Sequence, residues 1–242
     1  VLITGGGSGI GAATAVEFAR SGAQVVIGDI NANGLTQVAK QCLNVSPNAL
    51  KALEVLVDVT KEEDLQRLVD TTITTCGQLD ILVNNAGVTK NSNINDPDYM
   101  SVYKRILSTN LDSTVHLTHL CIKYLEITKG VIVNTSSVTA YQAAAINMFT
   151  KCMAAELGRK GIRVNSVNPG FIKSKIHSGS GFSEDVIQQI SQTFANKYPV
   201  GRVGEGLDVA NTIIYLASDQ ASFITGASVL VDGGHIAGSV TF

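Results

Sequence analysis

The stretch Thr4-Gly5-Gly6-Gly7-Ser8-Gly9-Ile10-Gly11 decides the fold of this chain. It directly follows the apolar run Val1-Leu2-Ile3 and opens a helical pattern that continues to about Arg20. Because glycine lacks a Cβ atom, the glycines at positions 5 to 7 can take positive φ and bring the backbone close to a ligand. The order of strand, glycine turn and helix predicts a turn that binds phosphate at the N-terminus of a helix.

A dinucleotide is the ligand that this arrangement favours. The predicted contacts at the turn are Gly5, Gly7, Ser8, Gly9, Ile10 and Gly11, of which the last also lets the helix pack against the strand. Asp29 ends a second strand at 24–28, where its carboxylate, with Ile30 beside it, can accept both hydroxyls of an adenosine ribose. No Lys or Arg follows Asp29 before Lys40, and none lies between Gly5 and Ala19, so NAD(H) is favoured over NADP(H).

Composition excludes several other classes of function. The chain has 242 residues, a net charge of −2 and no basic run longer than two residues, so neither a nucleic-acid partner nor a membrane surface is expected. Four scattered cysteines, and the lack of a signal peptide or a membrane-length apolar run, predict reduced thiols and a cytoplasmic location. His116 and His119 share a helix face without a further ligand, so no metal site is expected.

Short runs rich in Val and Ile alternate with helical patterns along the whole chain. This pattern predicts a Rossmann-type doubly wound parallel sheet of about seven strands, with helices on both faces, in a single α/β domain over 1–242. Further strands are predicted at 53–59, 81–83, 131–133, 162–164 and 229–231, and long helices near 100–125, 143–159 and 207–217. A capping box of Thr60 and Glu63 would start the helix after the third strand.

Several motifs follow one another in the order seen in the short-chain dehydrogenase/reductase family, which this chain resembles over essentially its whole length. They are Thr4-Gly5-x-x-x-Gly9-x-Gly11, Asn84-Asn85-Ala86-Gly87, Asn110, Ser136-Ser137, Asn168-Pro169-Gly170 and Val231-Asp232-Gly233-Gly234. The resemblance implies a cofactor that lies along the ends of the strands. Its adenine would contact Asp58 and Val59, its second ribose Asn84, Ala86 and Gly87, and its nicotinamide Pro169, Gly170, Ile172 and Ser174.

The resemblance also implies the chemistry, which is hydride transfer between a carbinol carbon and nicotinamide. In the family a tyrosine moves the proton on the oxygen, and a lysine one helical turn later activates that phenol, whose ordinary pKa is about 10. Ser137 would orient the substrate oxygen, Asn110 would help to relay protons, and Tyr141 is the candidate acid or base. The residues alone leave simpler roles open, because Ser137 could cap a turn and Asn110 could be an ordinary helical residue.

The expected Tyr-x-x-x-Lys pattern is broken here. Ala145 stands four residues beyond Tyr141, and Tyr141 follows Ser137 much sooner than the family's tyrosine does. The helix that follows still resembles the segment after the catalytic lysine. Two explanations are open. Either the chain lacks the lysine and would bind NAD while catalysing only weakly, or residues that carry the lysine are missing from the sequence between Val138 and Ala145, which we favour.

The stretch between Gly170 and Arg202 resembles the family's substrate-covering segment, which we expect near 174–200. It has a Ser-Gly run at 178–181, an amphipathic helical pattern that includes Phe194, and apolar residues suited to line a site, namely Phe171, Ile172, Ile176 and Phe182. Apolar residues on more than one face of the helices near 100–125 and 143–159 predict a partner subunit, and the resemblance implies a homotetramer, or a homodimer, built on these helices. The leading hypothesis is an NAD-dependent oxidoreductase of a small secondary alcohol or ketone, and the rival is a scaffold protein that binds NAD without chemistry.

Overall fold

Parallel strands form the central sheet of this computed structural model, which describes residues 1–138, 141–174, 176 and 183–238, without the side chains of 141 and 142. Within those residues the strands are β1 (Leu2–Thr4), β2 (Val26–Asp29), β3 (Leu53–Leu56), β4 (Ile81–Asn84), β5 (Val131–Thr135), β6 (Arg163–Pro169) and β7 (Ser228–Val231). They pair in the order β3-β2-β1-β4-β5-β6-β7, and every pair is parallel. The order reverses between β1 and β4, and this reversal opens a crevice at the carboxyl ends of the strands. The predicted fold class, a single doubly wound domain, is confirmed.

Helices cover both faces of the sheet. They are α1 (Gly9–Arg20), α2 (Ala32–Val45), α3 (Glu62–Cys76), α4 (Tyr99–Leu107), α5 (Ser113–Thr128), α6 (Tyr141–Leu157), α7 (Glu184–Lys197), α8 (Gly206–Ala217) and α9 (His235–Gly238). Alternate strand residues face opposite sides, so Ile3 and Ile27 pack with Phe18 of α1 and Ile213 of α8 in one core. Leu2, Val26 and Leu82 pack with residues of α3, α5 and α6 in the other core, including Leu68, Leu117 and Leu157.

The helix predicted near 100–125 is interrupted. A π-helical turn at Ser108–Asp112 separates α4 from α5. Hydroxyl groups bind carbonyls inside this turn, since Ser113 Oγ donates to the Thr109 carbonyl at 2.6 Å and Thr114 Oγ1 donates to the Asn110 carbonyl at 3.1 Å. Such side-chain bonds to carbonyls four residues earlier slightly destabilise a helix and often bend it, and here they accompany the π turn.

The capping box predicted at Thr60 and Glu63 is wrong. Helix α3 begins at Glu62 with Lys61 as its N-cap. Thr60 serves the preceding strand end instead, because its N–H and its hydroxyl both donate to Asp58 Oδ1, at 3.0 and 2.7 Å. The hydroxyl is therefore engaged two residues before the helix starts.

All four cysteines are free thiols. Burial raises the pKa of the Cys42 thiol to about 11 and that of the Cys121 thiol to about 12, so both stay protonated at neutral pH. Among the described helices, none is both long enough and apolar enough to cross a membrane.

Candidate active site

A cleft of about 720 Å³ runs along the carboxyl ends of the strands. Its volume is in the range of small-molecule sites. The predicted cofactor residues that line it are Gly5, Ser8, Gly9, Ile10, Asp29, Ile30, Asp58, Val59, Ala86, Gly87, Pro169, Gly170, Ile172 and Ser174, and the predicted catalytic residues Asn110 and Ser137 line it as well. Residues far apart in the sequence therefore meet at one site, as the rule for open α/β sheets requires.

The glycine turn approaches the neighbouring backbone closely. Gly5 has φ +64°, and a Cβ there would lie 2.9 Å from the Ala86 Cα atom. Positive φ occurs at Gly5 and Gly9, and not at Gly6 or Gly7 as the sequence suggested. Ser8 is the N-cap of α1, but its side chain makes no capping hydrogen bond. The N–H groups of the first helical turn, with the positive end of the helix dipole, are thus suited to an anion in the cleft.

Asp29 is fixed by the turn that it faces. The N–H of Gly7 donates to Asp29 Oδ2 at 2.9 Å, and the N–H of Asn31 donates to Oδ1 at 2.9 Å. Each carboxylate oxygen can accept further hydrogen bonds, so a ribose diol can still bind there. Gly7 does not line the cleft. The N–H of Gly7 orients the Asp29 carboxylate, which is a supporting role, and the predicted ligand contact of Gly7 stays a prediction.

Two further predicted contacts lie outside the cleft lining. Gly11 is buried, and a Cβ there would collide with the Gly5 carbonyl oxygen, so this glycine serves packing rather than ligand contact. Asn84 is 3 % exposed, and its Nδ2 donates to Thr118 Oγ1 at 3.1 Å and to Asn134 Oδ1 at 2.9 Å. The Asn84 side chain thus belongs to a polar network between helix and sheet, and the predicted ribose contact of this residue stays a prediction.

Asn85 lines the cleft in the place expected for Asn84. Its N–H donates to Thr4 Oγ1 at 3.1 Å, and its Nδ2 donates to the Thr4 carbonyl at 3.0 Å. Thr135 Oγ1 donates to Asn85 Oδ1 at 3.3 Å. One side chain therefore ties the end of β4 to the glycine turn after β1 and to the end of β5.

Ser137 and Asn110 lie at the other half of the cleft. Asn168 Nδ2 donates to the Ser137 carbonyl at 2.9 Å, which holds the serine beside the end of β6. Asn110 Oδ1 accepts the N–H of Val88 at 2.9 Å, and its Nδ2 donates to the Val88 carbonyl at 3.0 Å. Both ends of the Asn110 amide thus hold the loop after β4.

Tyr141 is the first residue of α6, and its side chain is outside the described part of the chain. Ala143 and Ile146 of the same helix line the cleft, and Ser136 Oγ donates to the Ala143 carbonyl at 3.1 Å. Lys151 lies further along α6 and is exposed. No lysine is present in the cleft lining among the described residues. The Ser-Gly run at 178–181 and Phe182 lie outside the described residues.

The sequence interpretation missed several residues of the lining. Arg105 enters from α4, Tyr198 follows α7, and His235 begins α9. Phe194 of α7 stacks on Phe171, with ring centroids 5.1 Å apart and an interplanar angle of 20°. The sequence predicts that Phe171 lines the site, whereas Arg105, Tyr198 and His235 belong to no local motif, so only the tertiary fold reveals that they share it.

Comparisons with known proteins agree with this geometry. A family described as enoyl-(acyl carrier protein) reductase matches residues 5–235. The chain is 33 % identical to a 3-oxoacyl-(acyl-carrier-protein) reductase of Thermotoga maritima, with 96 % of each protein covered. A short-chain dehydrogenase/reductase of Caenorhabditis elegans, solved with cofactor, superposes with a TM-score of 0.90 at 31 % identity, covering 98 % of this chain and 94 % of that one.

A Brucella melitensis 3-ketoacyl-(acyl-carrier-protein) reductase solved with NADH superposes with a TM-score of 0.85 at 30 % identity, covering 97 % of this chain and 96 % of that one. The match to the Thermotoga protein extends over 249 residues, more than this chain of 242 contains. That relative therefore has residues without a counterpart here. The family match, the identities and the superpositions agree with the cleft, and the chain belongs to the short-chain dehydrogenase/reductase family of oxidoreductases.

Proposed function

We propose that this protein is an NAD(H)-dependent oxidoreductase that transfers a hydride between nicotinamide and a secondary alcohol or ketone of a small molecule. The observation that carries the proposal is the continuous cleft that contains Asp29 near one end and Ser137 near the other. Asp29 offers a fixed carboxylate to a ribose diol, and a 2′-phosphate would be repelled there. The described lining has one arginine, Arg105, which belongs to α4 and not to the strand ends beside Asp29.

The cleft fits a dinucleotide because the backbone of the glycine turn leaves room for one. The glycine turn and the first turn of α1 would hold the diphosphate, Asp58 and Val59 the adenine, and Pro169, Gly170 and Ser174 the nicotinamide. When bound, nicotinamide supplies or accepts the hydride. A Cβ on Gly9 would lie 2.9 Å from Ser174 Cβ. The glycine turn therefore lies next to Ser174, one of the residues proposed to contact the nicotinamide.

The residues near Ser137 manage the oxygen and its proton in this proposal. Ser137 Oγ would hold the substrate oxygen, and Tyr141 at the start of α6 would exchange the proton with it. Asn110 supports the site by fixing Val88, which also lines the cleft. The 3-oxoacyl and 3-ketoacyl substrates in the names of two relatives carry a ketone, which supports a carbonyl as the reacting group.

A homotetramer or homodimer is part of the proposal. Leu117 and Cys121 of α5 are buried against the sheet, whereas Val115 on the same helix is exposed. On α6 Ile146 is buried and Met148 is exposed. Each helix thus exposes an apolar side chain that a partner subunit would cover. Light scattering on the purified protein measures the assembly.

The test uses protein whose intact mass matches this sequence. We expect calorimetry to detect NADH binding that is tighter than NADPH binding, and we expect NADH oxidation with at least one member of a panel of small ketones. Ser137→Ala should lower turnover about 100-fold and leave the Kd for NADH unchanged. Ser101→Ala, on the exposed surface of α4, is the matched control. NADH binding without any turnover would overturn the proposed reaction, and no NADH binding would overturn the proposed cofactor.

A further inference from the structure

The hydroxyl of Tyr198 is a buried donor on a residue that lines the cleft. Tyr198 is 4 % exposed and lines the cleft. Its oxygen accepts the N–H of Phe171 at 2.7 Å. Within the described residues the hydroxyl proton meets no acceptor. A buried donor without an acceptor costs free energy, so this proton favours a ligand that brings an oxygen.

The phenol oxygen lies at the carboxyl end of β6. A Cβ on Gly170 would lie 2.8 Å from Tyr198 Oη, so this oxygen packs against the backbone of Gly170. The same strand end holds the segment of Ser137, because the N–H of Val138 donates to the Pro169 carbonyl at 3.1 Å. Ser137 and Tyr198 are therefore both anchored at the end of one strand, beside the residues expected to contact nicotinamide.

Aromatic rings surround this donor. The Tyr198 ring lies edge-on to Phe194 with centroids 5.8 Å apart, and 5.1 Å from the ring of His235. Phe194 in turn stacks on Phe171. Burial raises the pKa of the Tyr198 phenol, so the group stays protonated at neutral pH and keeps its donor. The site thus combines the aromatic rings of Phe171 and Phe194 with a neutral hydrogen-bond donor on Tyr198, beside the imidazole of His235.

We propose that Tyr198 Oη binds a second oxygen of the substrate, and that the preferred substrates are ketones with a further carbonyl or hydroxyl oxygen on an apolar body. The inference rests on the proposed function, which assigns the reacting oxygen to Ser137. Tyr198 is a positioning residue of the substrate, and the proton of the reaction does not pass through it. The apolar body lies against the rings of Phe171 and Phe194.

The experiment measures binding to the enzyme saturated with NAD⁺, where a ketone cannot be reduced. Calorimetry compares cyclohexane-1,4-dione with cyclohexanone, which lacks the second oxygen. Wild-type protein should bind the dione about fivefold more tightly, the value of one neutral hydrogen bond. Tyr198→Phe keeps the ring contacts and should reduce this preference to unity, with the Kd for cyclohexanone changed less than about twofold. Tyr215→Phe, an exposed position on α8, is the matched control and should keep the preference.

Three results would overturn the inference. They are wild-type protein that binds neither ketone, wild-type protein that binds both equally, and Tyr198→Phe that weakens both equally, as a packing role requires. Failure of the proposed function is a separate result, because it appears as absent NAD⁺ binding or absent NADH turnover with either ketone. The ratio of the two Kd values is insensitive to a general loss of stability.

Discussion

The two ends of the cleft are built in different ways. At the adenine end the contacts come from β1, β2 and β3 and from the turns that directly follow them, and Asp29 is held by N–H groups close to it in the fold. At the substrate end the lining comes from β5, β6, α6, α7 and α9, and side chains such as Tyr198 and His235 arrive from distant segments. The comparison teaches that segments directly after neighbouring strands build the adenine end, including the Asp29 carboxylate, whereas side chains from distant segments build the substrate end.

The N-terminus of α8 connects the two ends. A Cβ on Gly206 would lie 2.8 Å from the Gly9 carbonyl oxygen, and Ser174 touches the same turn from the other side of the cleft. The glycine turn is therefore clamped by residues that follow β6. A change at either end should reach the other through this contact.

The largest loss of stability is expected from a substitution of Gly11, in the glycine turn at the adenine end. Gly11→Ala would place a Cβ against the Gly5 carbonyl oxygen and 2.5 Å from Asn85 Nδ2. Because backbone cannot yield as a side chain can, we expect a loss of about 3 kcal/mol in the free energy of unfolding. For a chain of this size that corresponds to a drop of about 10 °C in Tm. Thermal unfolding followed by circular dichroism measures it.

The matched control is Gly158→Ala. A Cβ on Gly158 has no atom within 4 Å, and its φ is not positive. This variant should unfold within about 0.5 kcal/mol of wild type. If Gly11→Ala were equally harmless, the packing of α1 against the glycine turn would not have the role assigned here.

The adenine end alone is changed by Asp29→Asn. The variant loses the negative charge that the N–H groups of Gly7 and Asn31 stabilise and that a ribose diol would bind. We expect NADH affinity to fall about 30-fold, since hydrogen bonds to a charged group are worth about 2 kcal/mol. NADPH affinity should rise, because a 2′-phosphate is no longer repelled. Calorimetric titrations with both dinucleotides give the ratio.

Asp70→Asn on the exposed face of α3 is the control, and it should leave both affinities unchanged. An unchanged preference for NADH in Asp29→Asn would mean that another feature discriminates the two cofactors. It would also remove the main difference between the two ends of the cleft, since the adenine end would then depend on side chains that local sequence does not reveal.

The same difference explains what the sequence could predict. The glycine turn, the place of Asp29 at the end of the second strand and the succession of strands along the chain follow from local patterns, and the structure reproduces them. Asn84 and Asn85 could not be told apart, because adjacent residues at the end of a strand point to opposite sides and the pattern does not say which side faces the cleft. Tyr198 could not be predicted, because its place in the lining depends on how the segment after α7 returns to β6.

Substitutions of Asn110 test its supporting role at the substrate end of the cleft. Asn110→Ala removes both hydrogen bonds to Val88 and leaves its N–H and carbonyl without these partners. We expect a loss of about 2 kcal/mol in the free energy of unfolding and a lower turnover, with little effect on NADH affinity. Asn110→Asp keeps an acceptor for the Val88 N–H but loses the donor, so it should be intermediate in stability. Urea denaturation compares the three proteins, and equal stability of all three would contradict the supporting role.

The smallest effect is expected at Asp208, where α8 begins beside the glycine turn. Asp208 Oδ2 accepts the N–H of Glu205 at 2.8 Å, and the carboxylate pairs with Arg202 at 2.7 and 2.8 Å. The hydrogen bond from Arg202 lowers the pKa of Asp208 to about 2. Because the group is partly exposed, solvent screening limits its contribution, and Asp208→Asn should cost about 1 kcal/mol at neutral pH.

The pH dependence of this loss has a definite sign. The folded pKa of Asp208 is below the ordinary value of 3.8, so its contribution is complete above about pH 4 and disappears as the pH falls toward about 2. The difference in Tm between wild type and Asp208→Asn should therefore be constant from pH 7 to pH 5 and shrink below pH 4. A difference that grows on acidification would contradict the assignment. The NADH affinity of the variant, measured at pH 7, then shows whether a change at the start of α8 affects the cofactor end through the contact between Gly206 and Gly9.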